Sequence, residues 1–177
     1  MRRILVAYIH ALTDSPVQFG VFIMAAWFTS NGPAAYLTCT SMLFNPVQPC
    51  TTQVLGFIPV TVNLLHTLCH LNTGIIGLVA VLRRSSAITY ALIGAAYYIA
   101  WGILGLVGGA DIRYYMGVDA FGSWVHIVEG TVLVLLWAGD RFSRRHAAHP
   151  NTQGDPSPVV TLFQDGAPPP RMTTHGS

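Results

Sequence analysis

The sequence contains no lysine, only three cysteines and little charge of either sign. Asp, Glu, Lys and Arg together make up 9% of the chain, against about 25% in a typical soluble domain. A net charge of +2 is too small for the basic surface that nucleic-acid binding requires, so we exclude nucleic acid as a partner. With 52% hydrophobic residues, the composition instead predicts an integral membrane protein whose main partner is the lipid bilayer.

Four apolar stretches are each long enough to cross a membrane. About 20 helical residues, rising about 1.5 Å each, span a hydrocarbon core of about 30 Å. We predict spans at residues 16–37, 54–82, 87–107 and 121–138. The predicted fold is therefore all-α, a four-helix transmembrane bundle over residues 16–138.

The two ends of the chain are predicted to lie outside this bundle. Residues 1–15 begin like a signal peptide, with two arginines and an apolar run, but no small-x-small cleavage site follows. Because Asp14, Ser15 and Pro16 are typical of a helix start, we expect residues 1–15 to be a retained cytoplasmic or interfacial segment. Residues 139–177 are rich in Pro, Gly, Thr and His, which predicts a disordered cytoplasmic tail.

The arginines fall mainly on one side of the four-span arrangement. That side carries Arg2, Arg3, Arg83, Arg84, Arg141, Arg144 and Arg145. The opposite side carries Arg113. Cytoplasmic flanks of membrane spans retain an excess of Lys and Arg, so both termini are predicted to be cytoplasmic in a multi-pass protein of the plasma membrane.

Two of the cysteines, Cys39 and Cys50, lie in the loop that this arrangement places outside the cell. An oxidising environment permits a disulfide between them. Either a staple that closes the loop or two unrelated thiols would explain the pair, and their wide separation disfavours a redox-active site. Cys69 is predicted to lie within span two, away from both.

Polar residues inside spans two and four form a candidate polar centre. His66 and His70 are four residues apart and share a helix face, as do His126 and Glu129 at a separation of three. His70 and His126 are each followed four residues later by glycine. Both pairs are predicted to lie near the middle of their spans, where an ionised side chain is costly. We therefore expect Glu129 to face protein and either to pair with a histidine or to stay protonated, and a contact with His66 or His70 is the simplest way to satisfy it.

Three kinds of centre fit these four residues. Polar side chains also join helices to one another in a lipid environment, so the group is consistent with a purely structural network. Three imidazoles and a carboxylate are also a ligand set for a transition metal, and histidines on two facing helices resemble the axial ligands of a haem b. A site that handles protons or solutes is the third alternative. The leading interpretation is that this polar centre binds no cofactor.

Four segments of the chain resemble a known family in the family's order. They are SPVQFGVFIMAAW, LGFIPVTVNLLHTLCHLNTGIIGLVAVLRR, the tyrosine-rich third span and GVDAFGSWVHIVEG. Together they resemble an actinobacterial family of four-pass membrane proteins that is catalogued as a domain of unknown function. The resemblance, over roughly residues 15–138, implies a small helical bundle in the plasma membrane and no particular activity. The Cys39 and Cys50 pair and the long tail depart from the family pattern.

The leading functional interpretation is a small structural or accessory membrane component, either as a homo-oligomer or with a membrane-protein partner. A redox, metal-binding or haem-binding membrane protein that uses the intramembrane histidines is the alternative. An oligomeric transporter or channel subunit is a further alternative. The sequence contains no recognisable nucleophile–base pair or phosphate-binding loop, which disfavours an enzyme.

Overall fold

The computed structural model describes residues 2–54 and 56–148. The chain is mostly helical. Helices α1 (Arg2–Thr13) and α2 (Pro16–Thr38) precede strands β1 (Cys50–Val54) and β2 (Ile58–Val62), which are followed by α3 (Leu64–Ala80), α4 (Arg84–Val107), α5 (Gly109–Met116) and α6 (Ala120–Ala148). Helix α6 therefore includes the first ten residues of the predicted tail, and residues 149–177 lie outside the described part of the chain.

Helix α2 begins at the predicted start signal and continues through its internal proline. The Ser15 hydroxyl accepts a hydrogen bond from the backbone N–H of Gln18 at 3.4 Å, and Pro16 occupies the first turn, where it costs no helical hydrogen bond. Pro33 lies inside the helix, which ends at Thr38.

The second predicted span differs from the structure in its first part. Residues 54–62 were expected to be helical, but β1 and β2 form an antiparallel hairpin that pairs Thr52 with Val60. The alternation of β-branched residues in Ile58–Val62 favours a strand. Asn63 then caps α3, because its side-chain oxygen accepts the backbone N–H of His66 at 2.9 Å. Helix α3 therefore lacks about the first third of the predicted span at residues 54–82.

The helices pack mainly as two pairs, α2 against α3 and α4 against α6. A glycine permits the close approach in each pair. A Cβ on Gly74 would lie 2.5 Å from the backbone nitrogen of Thr29 in α2, and one on Gly130 would lie 2.9 Å from the carbonyl oxygen of Ala95 in α4. These are the two glycines that follow His70 and His126 by four residues. The repeated His-x-x-x-Gly pattern thus places each histidine one turn from a tight helix contact.

Apolar side chains cover the outside of the helices as well as their core. Phe28, Val21 and Leu133 are fully buried. Large apolar residues that are at least 59% exposed include Ile76, Val79, Ile93, Val128 and Leu135. Within the described residues, two helices are long and apolar enough to cross a membrane, Arg84–Val107 and Ala120–Arg145, and Leu64–Ala80 is a shorter apolar helix.

Several arginines meet at one end of the bundle. Arg84, at the start of α4, donates to the carboxylate of Asp140 in α6 from Nε at 3.0 Å and from Nη2 at 2.5 Å. The Gln18 side chain donates to the carbonyl oxygen of Val81 at 2.8 Å, which brings the start of α2 to the same end. We call this the arginine end, and the end that carries β1 and β2 the hairpin end.

Candidate metal centre

The four residues of the candidate polar centre lie together in the structure. Helix α3 contributes His66 and His70, and α6 contributes His126 and Glu129. All four are buried. His70 and His126 each come six residues after the first residue of their helix, which places them roughly 9 Å from the hairpin end. His66 therefore lies near the hairpin end and His70 near the middle of α3, since this helix begins at Leu64 and not near residue 54.

The histidine rings converge through their Nε2 atoms. Nε2 of His66 lies 3.0 Å from Nε2 of His70 and 3.2 Å from Nε2 of His126. Ligand atoms of the three residues all lie within 4.8 Å of one another. Sequence spacing predicts the shared face of His66 and His70, and the packing of α6 adds His126 to it.

A backbone carbonyl orients the His66 ring. Its Nδ1 lies 2.6 Å from the carbonyl oxygen of Gly117, and a carbonyl only accepts hydrogen bonds, so Nδ1 carries the hydrogen. In the neutral ring this leaves the Nε2 lone pair directed into the cluster. Gly117 ends α5 in the left-handed conformation, with φ 60° and ψ 48°. A Cβ at Gly117 would come within 2.5 Å of the backbone nitrogen of Asn63, so only glycine fits there.

A carboxylate orients the His126 ring. Nδ1 of His126 lies 2.8 Å from Oε2 of Glu129, and Oε1 of Glu129 accepts the indole N–H of Trp27 at 2.7 Å. The prediction that Glu129 contacts a histidine of span two is wrong, because its two oxygens are taken by His126 and Trp27. Glu129 therefore lies behind a candidate ligand and not among the converging nitrogens. An ionised Glu129 holds the hydrogen on Nδ1 and leaves Nε2 free to bind a cation.

Aromatic rings enclose His70. Phe28 and Tyr98 stack on each other with centroids 4.3 Å apart, and each ring centroid is 5.7 Å from that of His70. The Tyr98 hydroxyl and the Thr73 hydroxyl are 2.7 Å apart. Thr73, which extends the polar face of α3 in the sequence, thus binds Tyr98 and is not part of the cluster. The aromatic contacts fix the plane of the His70 ring by packing.

Hydrogen bonds alone do not satisfy the three Nε2 atoms. A ring nitrogen carries either one hydrogen or one lone pair in the ring plane. Nε2 of His66 therefore makes one good hydrogen bond, yet two imidazole nitrogens face it. Nδ1 of His70 is also buried and has no partner among the described residues. Each buried polar atom without a partner costs about 1–3 kcal/mol, so the cluster is incomplete as a hydrogen-bonded network.

The three histidines form a candidate ligand set for a divalent transition metal, with their ligand atoms within 4.8 Å of one another. Imidazole nitrogens that bind a tetrahedral zinc ion at about 2.0–2.1 Å lie about 3.3 Å from one another. The observed separations from His66 are 3.0 and 3.2 Å. Metal-binding histidines also donate their other N–H to a carbonyl or a carboxylate, as the rings of His66 and His126 do here. Three histidines leave one of four tetrahedral positions open.

A chamber of about 110 Å³ lies against the cluster. All three histidines line it, together with Trp27, Asn31, Ala35, Thr52, Ile58, Val60, Thr61, Val62, Thr67, Phe121, Gly122, Val125 and Glu129. Cofactor pockets usually enclose about 300–1,000 Å³, so haem b does not fit this chamber. The haem alternative is thus disfavoured by volume, while a single metal ion is not.

The hairpin covers the chamber and is attached at three places. A disulfide joins Cys39, at the end of α2, to Cys50, the first residue of β1. The hydroxyls of Thr38 and Thr52 form a hydrogen bond. The backbone N–H of Thr61 donates to Oδ2 of Asp119 at 3.2 Å, just before α6. Cys69 is a free thiol on α3.

Two residues of the centre were not identified from the sequence, Trp27 and Gly117. Trp27 is 102 residues from Glu129 and Gly117 is 51 residues from His66. Gly117 contributes a backbone carbonyl, which any residue type possesses, so no residue-type signal marks it. A tryptophan in the middle of an apolar helix is a weak signal, since its indole N–H needs a partner when it is buried.

The chain belongs to a family described as "Domain of unknown function (DUF4383)", which matches residues 18–138 of the 177. This confirms the resemblance to a family of unknown function. The matched residues include every side chain of the cluster. No curated protein and no solved structure matches the chain.

Proposed function

We propose that this DUF4383 protein is a multi-pass membrane protein that binds one divalent transition metal ion. In this proposal the ligands are Nε2 of His66, His70 and His126. Glu129 and the Gly117 carbonyl orient two of the three rings. Helices α2, α3, α4 and α6 are the four proposed spans.

The distribution of apolar side chains supports the membrane location. Val79, Ile93 and Leu135 are 63–65% exposed on the outer faces of their helices, while the buried interior contains the polar cluster. A soluble monomer rarely exposes so extensive an apolar surface. Lipid tails are the natural contact for these faces, and close helix packing through glycines is typical of membrane bundles.

Two features support an orientation with both termini in the cytoplasm. The arginine end gathers Arg84, Arg141 and Arg144 near the helix ends, and cytoplasmic flanks are enriched in arginine. The hairpin end carries the disulfide, and disulfides persist outside the cytoplasm. Both features favour the plasma membrane with the hairpin end facing outward.

The approach of two imidazole nitrogens to Nε2 of His66 favours a metal over a purely structural network. In a structural network each buried polar atom has its own partner. Here the single in-plane position of His66 Nε2 faces two nitrogens. A cation between the rings accepts all three lone pairs at once, which no arrangement of hydrogens achieves. Three imidazoles suit zinc, and copper, nickel or cobalt as competitors.

Metal analysis of the purified protein tests this proposal. The protein is purified in detergent with an affinity tag that contains no histidine and is loaded with zinc. We expect one zinc per chain in the wild type and loss of stoichiometric zinc in His66→Ala, His70→Ala and His126→Ala. His10→Ala is the matched control, because His10 lies on α1 and outside the cluster.

The His10→Ala variant is expected to retain one zinc per chain. Far-UV circular dichroism establishes that each variant remains helical, so that loss of metal is not loss of fold. The proposal is wrong if the wild type carries no stoichiometric metal, or if the three cluster variants retain it.

A further inference from the structure

We infer that the chamber is the ligand pocket of the metal centre and takes a small uncharged molecule onto the fourth metal position. This inference rests on the proposed metal site. The position, charge and size of the chamber indicate which class of molecule the site binds.

The position of the chamber supplies an open side to the metal. His66, His70 and His126 all line it. The Nδ1 atoms of two of these rings already have partners, the Gly117 carbonyl for His66 and Glu129 for His126, so their Nε2 atoms are the ones left to bind a metal. A metal held by three histidines has one further tetrahedral position. The chamber is the space into which that position opens.

The charge of the chamber favours an uncharged ligand. The covering segment, residues 39–62, contains no Asp, Glu, Lys, Arg or His. Among the residues that line the chamber, Glu129 is the one acidic side chain, and neither Lys nor Arg is present. The divalent metal would attract an anion, but Glu129 offsets one of its two charges and no cationic side chain of the chamber adds to the rest. An incoming anion would therefore lose its hydration for the remaining charge of the metal alone and would approach a carboxylate. An uncharged molecule avoids both costs.

The size of the chamber limits the ligand to a few heavy atoms. Its volume is about 110 Å³, and an apolar cavity of about 150 Å³ takes one benzene molecule. Apolar side chains such as Ile58, Val60 and Val125 form much of the wall. The ligand is thus a small neutral molecule that offers one donor atom to the metal and an apolar remainder to the wall.

Ligand titration of the cobalt-substituted protein tests the inference. Cobalt(II) replaces zinc in the same ligand set, and its visible d–d absorption reports both metal binding and a change of the fourth ligand. The neutral probe is imidazole, at a pH where the free molecule is uncharged, and the anionic probe is azide. We expect imidazole to change the spectrum of the full-length wild-type protein and azide to bind at least about tenfold more weakly.

Two substitutions of valine on α6 provide the matched control. Val125→Phe places a larger side chain in the chamber, whereas Val128→Phe makes the same change on the outer face, where Val128 is 59% exposed. Val60→Phe narrows the chamber on its hairpin side. It is the replacement variant if Val125→Phe does not fold. We expect Val125→Phe and Val60→Phe to keep the cobalt spectrum but to bind imidazole at least about tenfold more weakly. Val128→Phe should behave as the wild type.

Each outcome separates this inference from the proposed function. If the wild type takes up no stoichiometric cobalt, the proposed metal site itself is wrong. If cobalt binds but imidazole leaves its spectrum unchanged, the metal site stands and the inference is wrong. The inference also fails if azide binds as well as imidazole, or if the chamber variants that fold bind imidazole as the wild type does.

Discussion

Within the described residues, one polar cluster near each end of the bundle contains a buried carboxylate, Glu129 or Asp140, and the two clusters differ in completeness. Asp140 lies in α6, fourteen residues after His126, so the clusters are roughly 21 Å apart along one helix. At the arginine end, Oδ1 of Asp140 accepts two hydrogen bonds from Arg84, and Oδ2 lies 3.7 Å from Nε of Arg144. At the hairpin end, His66 Nε2 has one bonding position for two neighbours.

This difference separates a structural role from a binding role. Asp140 is buried and its charge is balanced by arginines on two sides, so the arginine end requires nothing beyond the chain. In the histidine cluster two imidazole nitrogens face the single bonding position of His66 Nε2, and the proposed cation would bind all three rings. The burial of polar side chains therefore does not by itself distinguish a binding site from a structural cluster in this molecule. The distinction depends on whether each buried donor and acceptor has a hydrogen-bond partner within the chain.

Metal removal should produce the largest effect. A metal ion present at a thousandfold excess over its dissociation constant stabilises the folded state by about 4 kcal/mol. We expect a chelator to lower the thermal midpoint of the wild type in detergent and to leave His66→Ala unchanged, since that variant lacks a ligand. Differential scanning fluorimetry measures both. An equal chelator response in the two proteins would contradict a metal at the histidine cluster.

Loss of the Asp140 carboxylate at the arginine end should destabilise the folded protein without changing its zinc content. Asp140→Ala removes two hydrogen bonds to Arg84, each of a kind that contributes about 1.5–3 kcal/mol. Because the Arg84 side chain is 33% exposed and partly regains water, we expect a loss of about 2–3 kcal/mol in the free energy of unfolding. Denaturant titration measures it. Reduced zinc content in folded Asp140→Ala would show that the two clusters are coupled.

Glu129→Gln should weaken metal binding without abolishing it. Removing the partner that orients a metal-binding histidine typically costs about 10–100-fold in metal affinity, and the glutamine keeps the size of the side chain. Competition with a chromophoric chelator measures the affinity. Trp27→Phe, which removes the indole donor to Glu129, should give a smaller decrease in the same direction. Unchanged affinity in Glu129→Gln would exclude an orienting role for the carboxylate.

Arg144→Ala should have the smallest effect. The side chain is 60% exposed and its Nε is 3.7 Å from Asp140, and exposed ion pairs contribute about 0–1 kcal/mol. We expect a change below about 1 kcal/mol in the free energy of unfolding, again by denaturant titration, with zinc content unaffected. A loss as large as that of Asp140→Ala would mean that Arg144, and not Arg84, neutralises the buried carboxylate.

One part of the histidine cluster follows from local spacing. His66 and His70 share a face because they are four residues apart on α3. This is a property of a single helix, so the sequence predicts it. The arginine end is predictable for a similar reason, since its charged residues flank apolar stretches.

The depth of the cluster and its orienting partners are not predictable in the same way. Counting Val54–Val62 with span two placed His66 near mid-span, although the alternation in Ile58–Val62 and the helix-capping residue Asn63 indicate a strand and a new helix start. Trp27 reaches Glu129 only after α2 packs on the bundle. Such contacts depend on tertiary packing, which one helix does not specify.

Gly117 provides a way to sort relatives by sequence. Its position is intolerant of a side chain because of Asn63, and its carbonyl fixes His66. An aligned chain that keeps both histidines of α3 but replaces this glycine would have to move the segment before α6 and release the His66 ring. Under the proposed function, we expect relatives that bind metal to retain this glycine and Asn63 as well as the three histidines.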